Sequence, residues 1–297
     1  MKNIWTVLCI VLSITVLKAQ TVTAPEGFAV YQPDIIHGKI DTITYPSSTV
    51  GIERTALVYL PPGFSAKELY PVLYLLHGIG GDQFEWLNNG TPHVILDNLY
   101  AQGKLEPMIV VLPNGRAMKD DRAIGNIMDA AKVEAFATFQ RDLIDDLIPY
   151  VEKTYPVNAN PLNRALFGLS MGGGQALNFG LGNLDTFAWV GGFSSAPNTL
   201  MPEQLIPHPQ EVKDKLKLLW LSCGDQDGLI TITNRTHDYL KKHEVPHVFY
   251  IEPGGHDLRF GRMICIRFRN CCLRSVVRVN DHILNMYVGY LVPETGL

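Results

Sequence analysis

A serine ringed by glycines ends a short apolar run. Arg164-Ala165-Leu166-Phe167 leads into Gly168-Leu169-Ser170-Met171-Gly172, and Gly173-Gly174-Gln175-Ala176-Leu177 follows. Strand, tight turn and helix form the setting that makes G-x-S-x-G a nucleophile elbow. Side chains at Gly168 and Gly172 would collide with neighbouring backbone, while Ser170 is held strained with its hydroxyl outward. The glycines from 172 to 174 let the next helix begin close to the sheet, with free N–H groups aimed at developing negative charge. A serine hydroxyl is a poor nucleophile near neutral pH and needs a base. Glu252-Pro253-Gly254-Gly255-His256-Asp257 follows another apolar strand and offers an imidazole in a turn. Between the two, Ser222-Cys223-Gly224-Asp225-Gln226-Asp227-Gly228 offers two carboxylates. His256 can take the serine proton, and an aspartate can fix the imidazole tautomer and stabilise the imidazolium.

An oxyanion formed at Ser170 needs two backbone donors. The N–H of Met171 is one candidate. The second belongs to the turn His77-Gly78-Ile79-Gly80-Gly81, where glycines let backbone approach a substrate. His77 reads as a structural residue of that turn, because His256 already fills the role of base. Trp86, in Gln83-Phe84-Glu85-Trp86, is a candidate for stacking on a sugar or an aromatic acyl group. Residues Asn114 to Val133 form a long irregular connection that would serve as a lid or substrate rim.

These residues need a sheet that gathers strand ends. His37 to Pro46 alternates as an edge strand, Ile52 to Leu60 is a second, and Pro71 to Leu76 is continuous and apolar, as in a strand buried on both faces. Further strands are expected at Met108–Leu112, Arg164–Leu169, Phe187–Phe193, Lys215–Ser222 and His247–Ile251, with helices at Thr91–Gly103, Ala135–Lys153 and Ile230–Lys242. Strands alternate with helices after residue 70, which predicts a mostly parallel sheet with helices on both faces and a single domain. Ser170, the aspartates and His256 then fall at the C-terminal ends of strands, where ligands of such sheets bind. The serine, acid, histidine order along the chain is that of α/β-hydrolases.

Hydrophobic residues make up 46% of the 297 residues and charged residues 18%, enough for a sizeable core. A net charge of −4 without a basic stripe argues against nucleic-acid partners. Lys2, the apolar run Ile4 to Leu17 and the small Ala19 before Gln20 predict a signal peptide over 1–19, hence a secreted or periplasmic protein with no membrane contact once the signal is removed. Of five cysteines, Cys9 lies in that signal, Cys223 stands alone, and Cys265, Cys271 and Cys272 crowd the C-terminus without zinc-ligand spacing.

The segments Leu75-Leu76-His77-Gly78-Ile79-Gly80-Gly81, Gly168-Leu169-Ser170-Met171-Gly172-Gly173, Cys223-Gly224-Asp225-Gln226-Asp227 and Gly254-Gly255-His256-Asp257, in this order, resemble the esterase D-like branch of the α/β-hydrolases. The likeness is strongest to feruloyl and acetyl-xylan esterases of carbohydrate esterase family 1, and it covers roughly residues 35–259. The resemblance implies Ser170 as nucleophile, His256 as base, Asp227 as acid, and the N–H groups of Ile79 and Met171 as oxyanion donors. It also implies that no metal or organic cofactor is needed. The expected function is that of a secreted serine esterase acting through an acyl-enzyme on feruloyl or acetyl esters of plant cell-wall carbohydrate. A siderophore or small acyl-ester esterase is the alternative within the fold. An inactive carbohydrate-binding relative or a damaged gene product is the alternative outside it.

The likeness stops after Leu258-Arg259. Phe260 to Asn270 has no clear period, and codons chosen to encode it, read one base out of frame, give WKNDLYKISQL, which resembles the amphipathic helix the family carries there. The expected organisation is a signal over 1–19, an esterase domain over 20–259, and an aberrant tail over 260–297, read as frameshifted with a divergent native C-terminus as the alternative.

Overall fold

The computed structural model describes residues 27–256. The segments expected as a signal, over 1–19, and as an aberrant tail, over 260–297, lie outside the described residues. One sheet of eight strands organises the chain: β1 (Lys39–Ser47), β2 (Ile52–Leu60), β3 (Val72–Leu76), β4 (Ile109–Pro113), β5 (Arg164–Leu169), β6 (Trp189–Phe193), β7 (Leu218–Gly224) and β8 (Val248–Glu252), in the spatial order β1-β2-β4-β3-β5-β6-β7-β8. The pairings β1–β2 and β2–β4 are antiparallel and the rest are parallel. The expected architecture is the observed one, an α/β-hydrolase sheet entered through an antiparallel hairpin.

Burial follows position in the sheet. Strands β3, β4, β5 and β7 are buried along their whole length, whereas β1 alternates at the edge. One apolar cluster forms on one face, from Tyr74, Leu76, Val111, Phe139, Leu147, Leu166 and Leu177. A second, from Leu73, Leu75, Ile95, Leu99, Phe167 and Trp220, forms on the other. Helix α1 (Pro92–Ala101) belongs to the second cluster, and α2 (Ala130–Arg141), α3 (Ile148–Thr154) and α4 (Met171–Gly182) to the first. The short α5 (Pro202–Leu205) and α6 (Pro209–Lys215) precede β7, and α7 (Ile230–Lys242) follows it.

The single helix expected over Ala135–Lys153 is instead α2, a wider turn at Asp142–Leu147, and α3. Pro149 explains the interruption, since it has no N–H to donate and its ring crowds the carbonyl four residues earlier. The wide turn places Asp142 inward, fully buried, where it pairs with buried Arg54 and accepts the Tyr45 hydroxyl at 2.6 Å. Arg54 also donates to the carbonyls of Asn114 (2.7 Å) and Arg116 (2.9 Å). A buried charge is tolerated only when paired and hydrogen-bonded. Here the same bonds fix the loop that leaves β4.

Candidate active site

Ser170 stands between β5 and α4 with φ 58° and ψ −118°, a strained backbone for a residue with a side chain. Such a conformation costs on the order of 1–3 kcal/mol and persists only where the surroundings over-determine it. They do so here. The Ser170 N–H donates to Phe193 O at 2.9 Å, and its carbonyl accepts the N–H groups of Gly174 and Ala196, each at 3.0 Å. A methyl group at Gly168 would lie 2.2 Å from Gly172 O, and one at Gly172 would lie 2.5 Å from His77 O. Both glycines are therefore required by close backbone approach, as the motif predicts.

Three strand ends meet at the hydroxyl. His256 Nε2 lies 3.0 Å from Ser170 Oγ, and His256 Nδ1 lies 2.8 Å from Asp227 Oδ2. With Asp227 accepting from Nδ1–H, the Nε2 lone pair faces the serine hydroxyl, which donates to it. Asp227 is buried, and its Oδ1 accepts the Leu229 N–H at 2.8 Å. Burial alone would raise its pKa. The Leu229 N–H, the Ser194 hydroxyl and His256 outweigh burial and hold the carboxyl below its ordinary range. Asp225, the other carboxylate, points elsewhere: its Oδ1 accepts the Gly254 N–H at 2.9 Å.

The glycine turn after β3 is in place beside the serine. A carbon built on Gly78 would stand 3.5 Å from Ser170 Cβ. Met171 opens α4, so its N–H has no acceptor within the helix. Ile79 and Met171 share a small apolar cluster with Phe136, Ala196, Val133 and Leu229. His77 is buried and bridges two turns, with Nδ1–H donating to Gly78 O at 2.7 Å and Nε2 accepting the Gly115 N–H at 2.8 Å. Burial lowers its pKa to about 4, so the ring is neutral. Its role in the structure is to tie the turn after β3 to the loop after β4.

Trp86 is a correction. The expectation placed it against substrate, yet it is 2% exposed, and its indole N–H donates to Leu76 O at 3.0 Å. It packs beneath the turn with Leu73, Leu75 and Leu169, out of reach of any ligand. The exposed aromatic of that segment is Phe84, 43% exposed. The Asn114–Val133 connection also divides. Asn114 and Arg116 are buried supports, whereas Ile124 and Met128 are exposed.

Two supports of the site carry no motif in the sequence. Glu85 accepts the Gly78 N–H at 2.8 Å, and burial pushes its pKa up against the pull of that N–H. Ser194 sits fully buried beneath the acid with φ 44°. Sidedness within a turn decides such roles, and only hydrophilic residues in apolar surroundings hint at them.

The fold and the site define an α/β-hydrolase with a serine elbow. The chain belongs to the Esterase family, whose model matches residues 47–222. It is 38% identical over 208 residues to the endo-1,4-β-xylanase/feruloyl esterase of Xylanibacter ruminicola, a match covering 68% of this chain and 27% of that protein. It is 24% identical over 228 residues to an acetyl esterase of Caldicellulosiruptor saccharolyticus, covering 65% of this chain and 80% of the relative. Among solved structures, a ferulic acid esterase of carbohydrate esterase family 1 from Anaeromyces mucronatus, in complex with ferulic acid, superposes with a TM-score of 0.75. It is 26% identical, with 86% of this chain and 97% of the other covered. The chain thus spans only about a quarter of the length of the xylanase/feruloyl esterase it matches.

Proposed function

We propose that this protein is a secreted serine esterase that removes feruloyl or acetyl groups from plant cell-wall carbohydrate through an acyl-enzyme. The observation that carries the chemistry is the unbroken line Ser170 Oγ, His256 Nε2, His256 Nδ1, Asp227 Oδ2, with spacings of 3.0 and 2.8 Å. His256 takes the Ser170 proton as Oγ attacks the ester carbonyl. The N–H groups of Ile79 and Met171 receive the oxyanion, and the buried Asp227 carboxylate balances the imidazolium. Collapse expels the sugar alcohol, protonated by His256. Water, activated by the same imidazole, then releases the acid and restores Ser170. Export rests on the apolar segment after Lys2.

The test is side-by-side hydrolysis of methyl ferulate, acetylated xylan and a short-chain nitrophenyl ester by the wild type and Ser170→Ala. Ferulate release lost with Ser170 supports the reading. Turnover of the nitrophenyl ester alone would move it to a small acyl-ester esterase.

A further inference from the structure

The turn that carries the Ile79 N–H is gripped from both sides by side chains outside the proposed triad. On one side, Glu85 Oε2 accepts the Gly78 N–H at 2.8 Å. On the other, the Arg116 guanidinium donates to Ile79 O and, at 3.5 Å, to Gly81 O. Gly78 O is taken by the His77 imidazole at 2.7 Å and by the Gly81 N–H at 3.1 Å. These bonds leave the N–H groups of Ile79 and Gly80 outside the network. The grip is itself anchored. Arg116 is fully buried, its guanidinium donates to Asp121 O at 2.7 Å, its own N–H donates to Asn114 Oδ1 at 3.0 Å, and the Phe136 ring lies 5.1 Å from it.

The spacing is tight enough to transmit a shift. A carbon built on Gly78 would be 3.5 Å from Ser170 Cβ and 3.7 Å from Glu85 Oε2, so the Gly78 backbone lies between the carboxylate and the serine. A free carboxylate this close would oppose an oxyanion. Glu85 instead accepts the Gly78 N–H, and the nearby Arg116 charge opposes the effect of burial and of Asp82 on its carboxyl.

We propose that Glu85 and Arg116 are positioning residues for ester hydrolysis, holding the 78–81 turn so that the Ile79 N–H meets the oxyanion formed at Ser170. This rests on the serine-esterase reading of the site. Both residues act through backbone and leave substrate binding in the ground state untouched. The grip therefore governs kcat and the binding of tetrahedral adducts, with little effect on KM.

The test compares Glu85→Gln, Glu85→Ala, Arg116→Lys and Gly81→Ala for kcat, KM, inhibition by a trifluoromethyl ketone, which forms an oxyanion with the serine, and inhibition by coniferyl alcohol, the counterpart of ferulate that has no carbonyl for the oxyanion donors. Glu85→Gln keeps an acceptor oxygen and should stay within about threefold of wild type, since a neutral acceptor is roughly half as strong as a charged one. Glu85→Ala should lower kcat roughly 100- to 1,000-fold, the range for loss of an oxyanion donor, and weaken the ketone by a similar factor. Inhibition by coniferyl alcohol should not change. Gly81→Ala, whose methyl would sit 2.2 Å from Glu85 Oε2, should displace the carboxylate and reproduce Glu85→Ala. Arg116→Lys should behave likewise, because an ammonium cannot span two carbonyls as the guanidinium fork does. Wild-type ketone affinity in Glu85→Ala, or in Gly81→Ala and Arg116→Lys should Glu85→Ala not fold, would overturn the proposal. So would ketone and coniferyl alcohol affinities that fall in equal proportion. Ester hydrolysis surviving in Ser170→Ala would instead overturn the underlying reading.

Discussion

Asp225 and Asp227 are two residues apart, yet they hold opposite ends of the same loop. Asp227 Oδ2 meets the His256 ring at 2.8 Å, while Asp225 Oδ1 holds the Gly254 N–H at 2.9 Å, two residues before that ring. The Gln226 N–H adds a bond to Gly254 O at 2.9 Å. One carboxylate orients the imidazole and the other secures the chain that carries it.

The two should separate cleanly by substitution. Asp227→Asn is expected to lower kcat by roughly 10⁴, because the wrong histidine tautomer then faces the serine. Asp225→Asn retains an acceptor for Gly254 and should stay near wild type. Asp225→Ala should cost only a few-fold, since the bond is solvent-exposed and worth about 1 kcal/mol. Steady-state kinetics on methyl ferulate decide, and a larger effect at Asp225 than at Asp227 would mean the acid is misassigned.

Ser170→Ala should remove the covalent route, with losses in kcat approaching a million-fold by comparison with other serine triads. It leaves the strained φ of 58° in place. Ser170→Gly relieves that strain and should be equally inactive but melt at a higher temperature than Ser170→Ala. Equal melting temperatures would show that the elbow stores little strain.

The neutral His77 makes stability pH-dependent. Its folded pKa is about 4 against an ordinary 6.5. Between these values the unfolded chain takes up a proton that the folded chain refuses. The stabilising balance is therefore complete above pH 6.5 and is lost as pH falls toward 4. At about 1.4 kcal/mol per pH unit the loss is roughly 3 kcal/mol. Burial also lowers the pKa of His93, His237 and His247, which adds to the slope in the same direction. Urea unfolding at pH 7 and pH 5 should show it, and His77→Gln should be less stable at pH 7 with a shallower loss on acidification.

Trp86→Ala should destabilise the fold by about 3–5 kcal/mol through the cavity it leaves. Trp86→Phe should cost less, through the Leu76 carbonyl left without the indole N–H. Neither should alter the preference between feruloyl and acetyl esters in folded protein. A change in that ratio with Trp86→Phe would return the residue to the substrate pocket.

Local constraints made much of this protein legible from its residues. The elbow is written in contiguous positions, because Gly168 and Gly172 answer to backbone atoms only 2.2 and 2.5 Å away. The buried parallel strands announce themselves as unbroken apolar runs, since both faces of such a strand are covered. Even the structural role of His77 followed from its place in a turn beside a second, better-placed histidine.

What tertiary structure alone decided is sidedness. The pattern at 225–227 offers two carboxylates, and only the path of the β7 loop turns Asp227 toward His256 and Asp225 toward Gly254. In Gln83-Phe84-Glu85-Trp86, the wide helical turn beginning at Trp86 buries the indole and directs Glu85 to Gly78. An aromatic before a turn has the same local character whether it faces core or solvent, so its neighbours in sequence do not settle its role. Arg116 and Arg54 reach their partners across 37 and 88 positions of chain, to Ile79 and Asp142. Pairings over such distances follow from the packing of whole elements, which no short stretch of residues encodes.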